Sequence, residues 1–446
     1  MKKILAIIMV MAVLMGLAAC GGKGEQPQNP QNTENTSDSI PANASADDGG
    51  ADNDVKAALF PNANDDGSIN LDTIANFDPD YDYTQNERFT IAYLANAAST
   101  LYQYSADAYE LWCPRFNCEW SGFVSSEGDS DLYMTTLQTY LDQGINGLIL
   151  DPDSTIFPSV VEVLDNYPQV QWMSQMSPAR DGIDGEDVPV GGNLLHPYVG
   201  FDNYEAGVIM TEGLIKWKNE NLADVEWSDI GFLLMSYSVV PVLQERVDAS
   251  KSTWIKETGS EDNVFIADCA SSGLTLQGGI DAAGPIISVN SQYKYWLVMG
   301  LVDDLAQGAA VVLDQSGLTD TSCVTTFGGT NFVVQWDAGQ YDACRIAVTT
   351  GHELYAEPIL GAVYAYLNGW ATPDTIWPSW VKASDHGGEG HAYAAHLLPT
   401  IWVSETDYKS FYKWLNLYVG EDIYDYDVDV SIDDYTSFVE VPDSYK

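Results

Sequence analysis

Three of the five histidines in this 446-residue chain fall in or just beyond one glycine-rich stretch, Asp385-His386-Gly-Gly-Glu389-Gly-His391 followed by His396. Imidazole beside carboxylate suits zinc. The spacing misses both His-Glu-x-x-His and His-x-x-Glu-His by one residue, and the glycines read as a loop, so no metal site is assigned there. Asn62-x-Asn64-x-Asp66-Gly67-x-Ile69 echoes the first half of a calcium loop. Thr73 stands where the bidentate acid belongs and Asp72 comes one place early, which leaves a turn rich in Asn and Asp. No phosphate-cradling glycine run follows a strand and no Gly-x-Ser-x-Gly elbow occurs. With 65 Asp+Glu, pairing any two carboxylates as acid and base is arbitrary. The expectation is therefore a non-enzyme with no catalytic residue, cofactor or metal. Asp151, Asp153 and Asp303 each stand between a strand and a helix, where capping accounts for them.

The elements that hold these residues alternate. Strands are predicted at 89–94, 147–150, 170–173, 230–235, 264–267, 296–301 and 323–327. Helices are predicted at 102–112, 134–142, 156–167, 204–217, 241–255, 274–283, 303–313 and 355–367. Alternation of short apolar runs with amphipathic stretches means parallel sheets covered by helices on both faces. The number of units fits two doubly wound, Rossmann-like α/β domains better than one long sheet.

Composition narrows the partners. The chain carries 18 Lys+Arg and a formal net charge of −47, which repels phosphate backbones and excludes nucleic acid as a partner. Residues 21–54 hold almost no large apolar side chain and read as a tether. Ahead of it, Lys2-Lys3, an apolar run from Ile4 to Leu17 and Leu17-Ala18-Ala19-Cys20 form a signal sequence with small residues before the cut. The cysteine at the cut resembles the lipobox of bacterial lipoproteins, which implies a lipidated Cys20 and an extracytoplasmic body anchored to the cell membrane. Five further cysteines, Cys113, Cys118, Cys269, Cys323 and Cys344, permit one or two disulfides in that compartment. Cys323 with Cys344 is the first candidate, and the connectivity stays open.

Four strings in order resemble the type I periplasmic binding proteins, the ribose- and galactose-binding class that serves ABC importers: Gln143-Gly-Ile-Asn-Gly-Leu-Ile-Leu-Asp-Pro152, Val199-Gly-Phe-Asp-Asn-Tyr-Glu-Ala-Gly207, the 298–308 strand and helix start, and Thr326-Phe-Gly-Gly329. The resemblance covers roughly 88–369 and implies a small-molecule ligand, carbohydrate first, held between two domains for an ABC permease. On that reading Tyr102 and Tyr104 stack on a sugar face. Arg246, the planar five-donor fork, hydrogen-bonds ligand hydroxyls from an open, wet cleft, where it contributes little to folding. Asp303, as a cap facing the cleft, can also touch ligand. Departures are specific: Ser174-Gln175 replaces an Asp-Arg pair, Phe327-Gly328-Gly329 lacks an aspartate, and Val302 stands where asparagine is common. Gln175, Asn331, Gln335 and Trp336 are candidates for a different polar and stacking set.

The expected organisation is a signal at 1–20, tether and extension at 21–87, an N-terminal lobe from 88–199 plus about 352–370, a C-terminal lobe from 200–351 plus part of 371–420, and an acidic, tyrosine-rich tail at 421–446. A sensor of the same fold that presents ligand to a membrane receptor is the first alternative. A metal-dependent hydrolase using the His386–His396 loop is the alternative from another class.

Overall fold

Apolar β-rich runs buried on both faces set up the first sheet, as parallel strands between helices require. The computed structural model describes residues 75–79, 81–97, 100–153, 155–180, 194–340, 342–377 and 393–431. Cys20, the tether, the calcium-like turn at 62–73, His386 and His391 lie outside them.

In the first lobe β1 (Phe89–Ala95), β2 (Cys118–Ser125), β3 (Gly147–Asp151), β4 (Gln171–Gln175) and β5 (Tyr198–Gly200) alternate with α1 (Thr100–Trp112), α2 (Ser130–Asp142) and α3 (Phe157–Leu164). In the second, α4 (Asn203–Asn221), β6 (Ile230–Ser236), α5 (Pro241–Thr258), β7 (Val264–Asp268), α6 (Leu276–Val289), β8 (Tyr295–Met299), α7 (Asp303–Gln315), β9 (Ser322–Phe327), α8 (Thr330–Asp337) and β10 (Cys344–Thr349) follow. The chain then returns through a 3-10 turn (His352–Tyr355) to α9 (Ala356–Leu367), which packs on α1, β3 and β4. After β11 (Ala395–Leu397) it crosses again to β12 (Ile401–Ser404) and continues through α10 (Tyr408–Val419) into an extended segment.

Sheet order is β11-β5-β4-β3-β1-β2 in one lobe and β12-β10-β9-β8-β6-β7 in the other. The two lobes thus repeat one permutation. Every described pairing is parallel except β12 against β10. Among the described residues three chain crossings, after β5, β10 and β11, join the lobes at the carboxyl ends of those strands.

Two predictions of local structure need correction. Strands β2, β5, β10, β11 and β12 have no counterpart in the sequence-based reading. Strand β2 is a half-exposed edge strand whose Gly122 (φ 117°) lies just past a bulge, where alternation is broken. Strands β5, β11 and β12 are short, and β10 has only a short apolar run. The Cys323–Cys344 disulfide does not form: all five described cysteines are free and buried. Cys344 is in register with Val324, which turns Cys323, one residue earlier, toward the opposite face of the sheet. Residues 75–87, grouped from sequence with the N-terminal extension, pack on the first lobe. Phe77 N donates to Glu357 Oε1 at 2.8 Å and the Phe77 ring stacks 5.2 Å from Tyr83.

Between β9 and α8 the chain turns through Gly328 (φ 111°) and Gly329 (φ 82°). A methyl group on Gly329 would stand 2.5 Å from Ala347 Cβ, and one on Gly328 would stand 3.4 Å from Leu101 of the opposite lobe. Gly329→Ala should therefore destabilise the protein by about 1–3 kcal/mol through backbone strain and overpacking. Urea unfolding that leaves the midpoint unchanged would contradict this packing.

Candidate functional site

The carboxyl end of the first sheet is lined by tyrosine, not by paired charges. Asp151 closes β3 and is 2% exposed. It receives hydrogen bonds from Ser177 and Tyr102, while its Oδ2 has no partner. Burial drives its carboxyl up to about 7, against those two hydrogen bonds. Its surroundings include the hydroxyls of Tyr93, Tyr102, Tyr109, Tyr133 and Tyr355, and burial raises the pKa of all five. Sequence reading took Asp151 as a helix cap. Among the described residues its side chain accepts no bond from α3, whose N-cap Ile156 has no side-chain cap bond, while Asp153 Oδ1 accepts from Thr155 N at 2.8 Å just ahead of that helix.

Gln175 ends β4 fully buried. Tyr109 donates to its Oε1 at 2.5 Å, its Nε2 donates to Ser105 Oγ at 2.9 Å, and Ser105 Oγ lies 3.3 Å from His352 Nδ1 in the second crossing. Both ends of the Gln175 amide are thus spent on α1. Burial pulls the His352 imidazole down to about 4, so it is neutral near pH 7.

In the second lobe Asp202 caps α4, accepting from Glu205 N at 3.0 Å, which leaves Asn203 at the first helical position. Asn203 Oδ1 accepts from Arg246 Nη2 at 2.5 Å, and Leu301 O accepts from Arg246 Nη1 at 2.6 Å. The guanidinium lies 4.2 Å from the Phe327 ring centre, and Phe327 stacks 4.3 Å from Phe201. Arg246 is 2% exposed and keeps only Nε without a partner. Burial lowers its pKa to about 9, so it stays charged at neutral pH. This corrects the expectation of a wet, freely presented arginine. Leu301 sits at φ 52°, a costly conformation for leucine, and its carbonyl is one of the two neutral acceptors that hydrogen-bond the buried fork.

Asp303 does cap a helix, but a neighbouring one. Its carboxylate accepts from Thr326 Oγ1 at 2.8 Å, Gly329 N at 2.8 Å and Asn331 N at 2.9 Å, so it holds the start of α8. The Asn331 side chain turns away to Asp304 Oδ1 and Gln307 Oε1, each at 3.2 Å. Trp336 is a core residue whose Nε1 donates to Cys344 O at 2.8 Å, which leaves it no polar atom for a ligand.

Tyr104, Gly328, Thr349, Glu353, Tyr412 and Tyr424 line a small, solvent-open crevice where both lobes meet the second crossing. The structure therefore brings Tyr102 and Gln175 to the first sheet's carboxyl edge, Arg246, Asp303 and Asn331 to the second's, and Tyr104 to the seam. It leaves Trp336 inside the second lobe. Sequence reading did not select Phe201, which follows β5, or Phe327 as aromatic walls.

No protein-family model matches the chain, and no curated protein matches it. Solved structures do. A sugar ABC transport substrate-binding protein from Bordetella parapertussis is 14% identical, with a TM-score of 0.54 over 73% of this chain and 94% of that one. GanP, a glucose-galactose binding protein from Geobacillus stearothermophilus, is 12% identical, with a TM-score of 0.51 over 72% of this chain and 99% of that one. An ABC transporter solute-binding protein from Agrobacterium vitis with bound alpha-D-tagatopyranose is 15% identical, with a TM-score of 0.50 over 64% and 91%. Two α/β lobes, each on a six-stranded sheet and joined by three crossings, are the type I periplasmic binding protein fold.

Two substitutions follow from these contacts. Arg246→Ala should destabilise the empty protein by about 2–4 kcal/mol, because two buried acceptors lose their donor; an unchanged denaturant midpoint would show that the fork is not load-carrying. Asp151 binds its proton in the folded state between about pH 4 and pH 7, whereas the unfolded chain has released it, so its contribution to stability falls as pH rises through that window. Asp151→Asn should gain on the wild type by up to about 1.4 kcal/mol per pH unit from pH 4 to 7 and level off above. Parallel melting curves across that range would refute the buried proton.

Proposed function

We propose that this chain is an extracytoplasmic solute-binding lipoprotein that captures a small carbohydrate or polyol between its lobes and delivers it to an ABC permease. One observation carries the reading: two lobes of the same sheet permutation meet at the carboxyl ends of their strands, where open α/β sheets place ligands. The three solved structures named above bind a sugar or serve sugar transport by their own descriptions, which supports carbohydrate as the ligand class. The signal ending at Cys20 supports a lipid anchor outside the membrane.

Capture works by differential affinity. A ligand touching both lobes stabilises the arrangement in which they approach, and it shifts the population only as far as it binds that arrangement better. Tyr102 and Gln175 stand on the first lobe and Tyr104 at the seam. From the second lobe, the buried Arg246 lies against Phe327, itself stacked on Phe201, and braces that edge from within. Polyhydroxylated ligands fit a seam rich in tyrosine, since rings cover their apolar faces while hydroxyls meet their hydroxyls.

A thermal-shift screen of D-galactose, D-glucose, D-tagatose, myo-inositol, nucleosides and amino acids tests the reading. One carbohydrate or polyol should raise the melting temperature in step with the logarithm of its concentration, stabilising by about 2.7 kcal/mol at a hundredfold excess over its dissociation constant. A response confined to amino acids or nucleosides would remove carbohydrate as the class, and a flat response to all of them would remove solute capture.

A further inference from the structure

The carboxy-terminal part of the chain has a pattern of its own. Tyr424-Asp-Tyr-Asp-Val-Asp-Val430 alternates apolar residues with aspartate at the period of an extended strand. In the structure Tyr424, Tyr426, Val428 and Val430 are half-buried while Asp425, Asp427 and Asp429 are exposed, although the segment pairs with no strand. Gly420, at φ 77°, ends α10 and lets the chain turn back. The buried Asn416 then fixes the turn: its Oδ1 accepts from Ile423 N at 2.9 Å and Tyr424 N at 2.8 Å, and its Nδ2 donates to Tyr424 O at 2.6 Å.

From this anchor the segment reaches both lobes. Toward the first, Arg115 Nη2 donates to Val419 O, Tyr418 donates to Glu357 of α9, and the Tyr424 ring meets Tyr104 of α1 edge-on at 6.2 Å. At the second crossing Tyr424 donates to Glu353. Toward the second lobe, Tyr408 and Tyr426 each donate to one oxygen of Asp337 at the end of α8, both at 2.8 Å, and the Tyr408 ring lies 5.0 Å from Trp336. Tyr412 and Tyr424 also wall the crevice at the seam.

We infer that α10 and the segment through Ser431 form a clasp that ties the two lobes across their seam and limits how far they part. The inference builds on the proposed capture by lobe movement and adds a restraint to it. Parting the lobes separates Asp337 from Glu353 and Glu357, and tyrosines of a single short segment hold all three. Either the Asp337 arm or the Glu353 arm must therefore release before the lobes open fully.

The test uses the full chain with nitroxides attached at Asp131→Cys on α2 and Asp281→Cys on α6, both exposed, since the five described native cysteines are buried. Singly labelled controls account for any label elsewhere. Interlobe distances are measured by pulsed electron resonance without added ligand, in the parent and in Tyr424→Phe/Tyr426→Phe, which keeps both rings and removes only the hydroxyl bonds. The parent should give one narrow distribution and the double variant a longer, broader one. If the double variant does not fold, Tyr426→Phe alone should still broaden the distribution, because it frees one oxygen of Asp337. A parent that is already broad and unchanged by the substitutions overturns the clasp and leaves capture by lobe movement standing. Distributions that are narrow in all proteins overturn the clasp, and if they also stay fixed with the responding sugar they overturn the lobe movement.

Discussion

The chain of buried polar contacts from Tyr109 through Gln175 and Ser105 to His352 is the interaction on which the arrangement of the first lobe depends. It ties α1 to the end of β4 and both to the second crossing. A buried primary amide with unmet groups costs about 1–3 kcal/mol each, so Gln175 can sit there only because α1 presents Tyr109 and Ser105 one helical turn apart. The neutral His352 completes the chain without bringing a charge into the core. Where the crossing begins is thereby fixed relative to the sheet edge. Everything that meets at the seam, from Tyr104 to Gly351, takes its position from that join.

The second lobe reaches the same end by different means. Asp303 gathers the hydroxyl of Thr326 and the amides of Gly329 and Asn331, which fastens the end of β9 and the start of α8 to α7. The glycine pair is the geometric condition for this, since a side chain at Gly329 would meet Ala347. Thr326-Phe-Gly-Gly329 therefore reads as a packing solution for the turn. Phe327, held by that turn, supplies the face on which Arg246 lies. An arginine so buried, with its donors on Leu301 and Asn203, is a rigid part of the lobe before any ligand arrives.

Much of this was legible in the sequence, and the unread parts have physical causes. The repeated strand–helix alternation showed because parallel strands buried on both faces are continuous apolar runs. The edge strands β2, β11 and β12 are short or half-exposed and carry no such run. The interior strands β5 and β10 escaped because one is three residues long and the apolar run of the other is only Ile346-Ala347-Val348, between Arg345 and Thr349. Arg246, Asp303 and Gln175 could be chosen as polar residues at element ends, but their partners come from residues 23 to 70 positions away, and no local pattern encodes those contacts. Asp303 shows the limit well, because its position predicts a cap and only the packing of α7 on α8 decides which helix is capped. The alternating tail was visible as acidic and tyrosine-rich. Its meaning depends on which carboxylates of the folded body lie opposite each tyrosine.

That last point connects to the composition of the whole chain. With 65 acidic and 18 basic residues, buried carboxylates cannot all find cations. They find hydroxyls and amides instead: Asp151 is met by Tyr102 and Ser177, Glu353 by Tyr424, Glu357 by Tyr418 and the amide of Phe77, and Asp303 by a threonine and two amides. A neutral donor screens a buried charge less than a cation does, so burial wins and all four carboxyls are pushed above the ordinary range. Tyrosine suits this task because its ring fills the core while its hydroxyl reaches the carboxyl. The 26 tyrosines are thus partly the counterpart of the acid excess. A bond of this kind is weaker than an ion pair and carries no cation to leave stranded when it opens. That makes it a fit tie for surfaces that must part and rejoin.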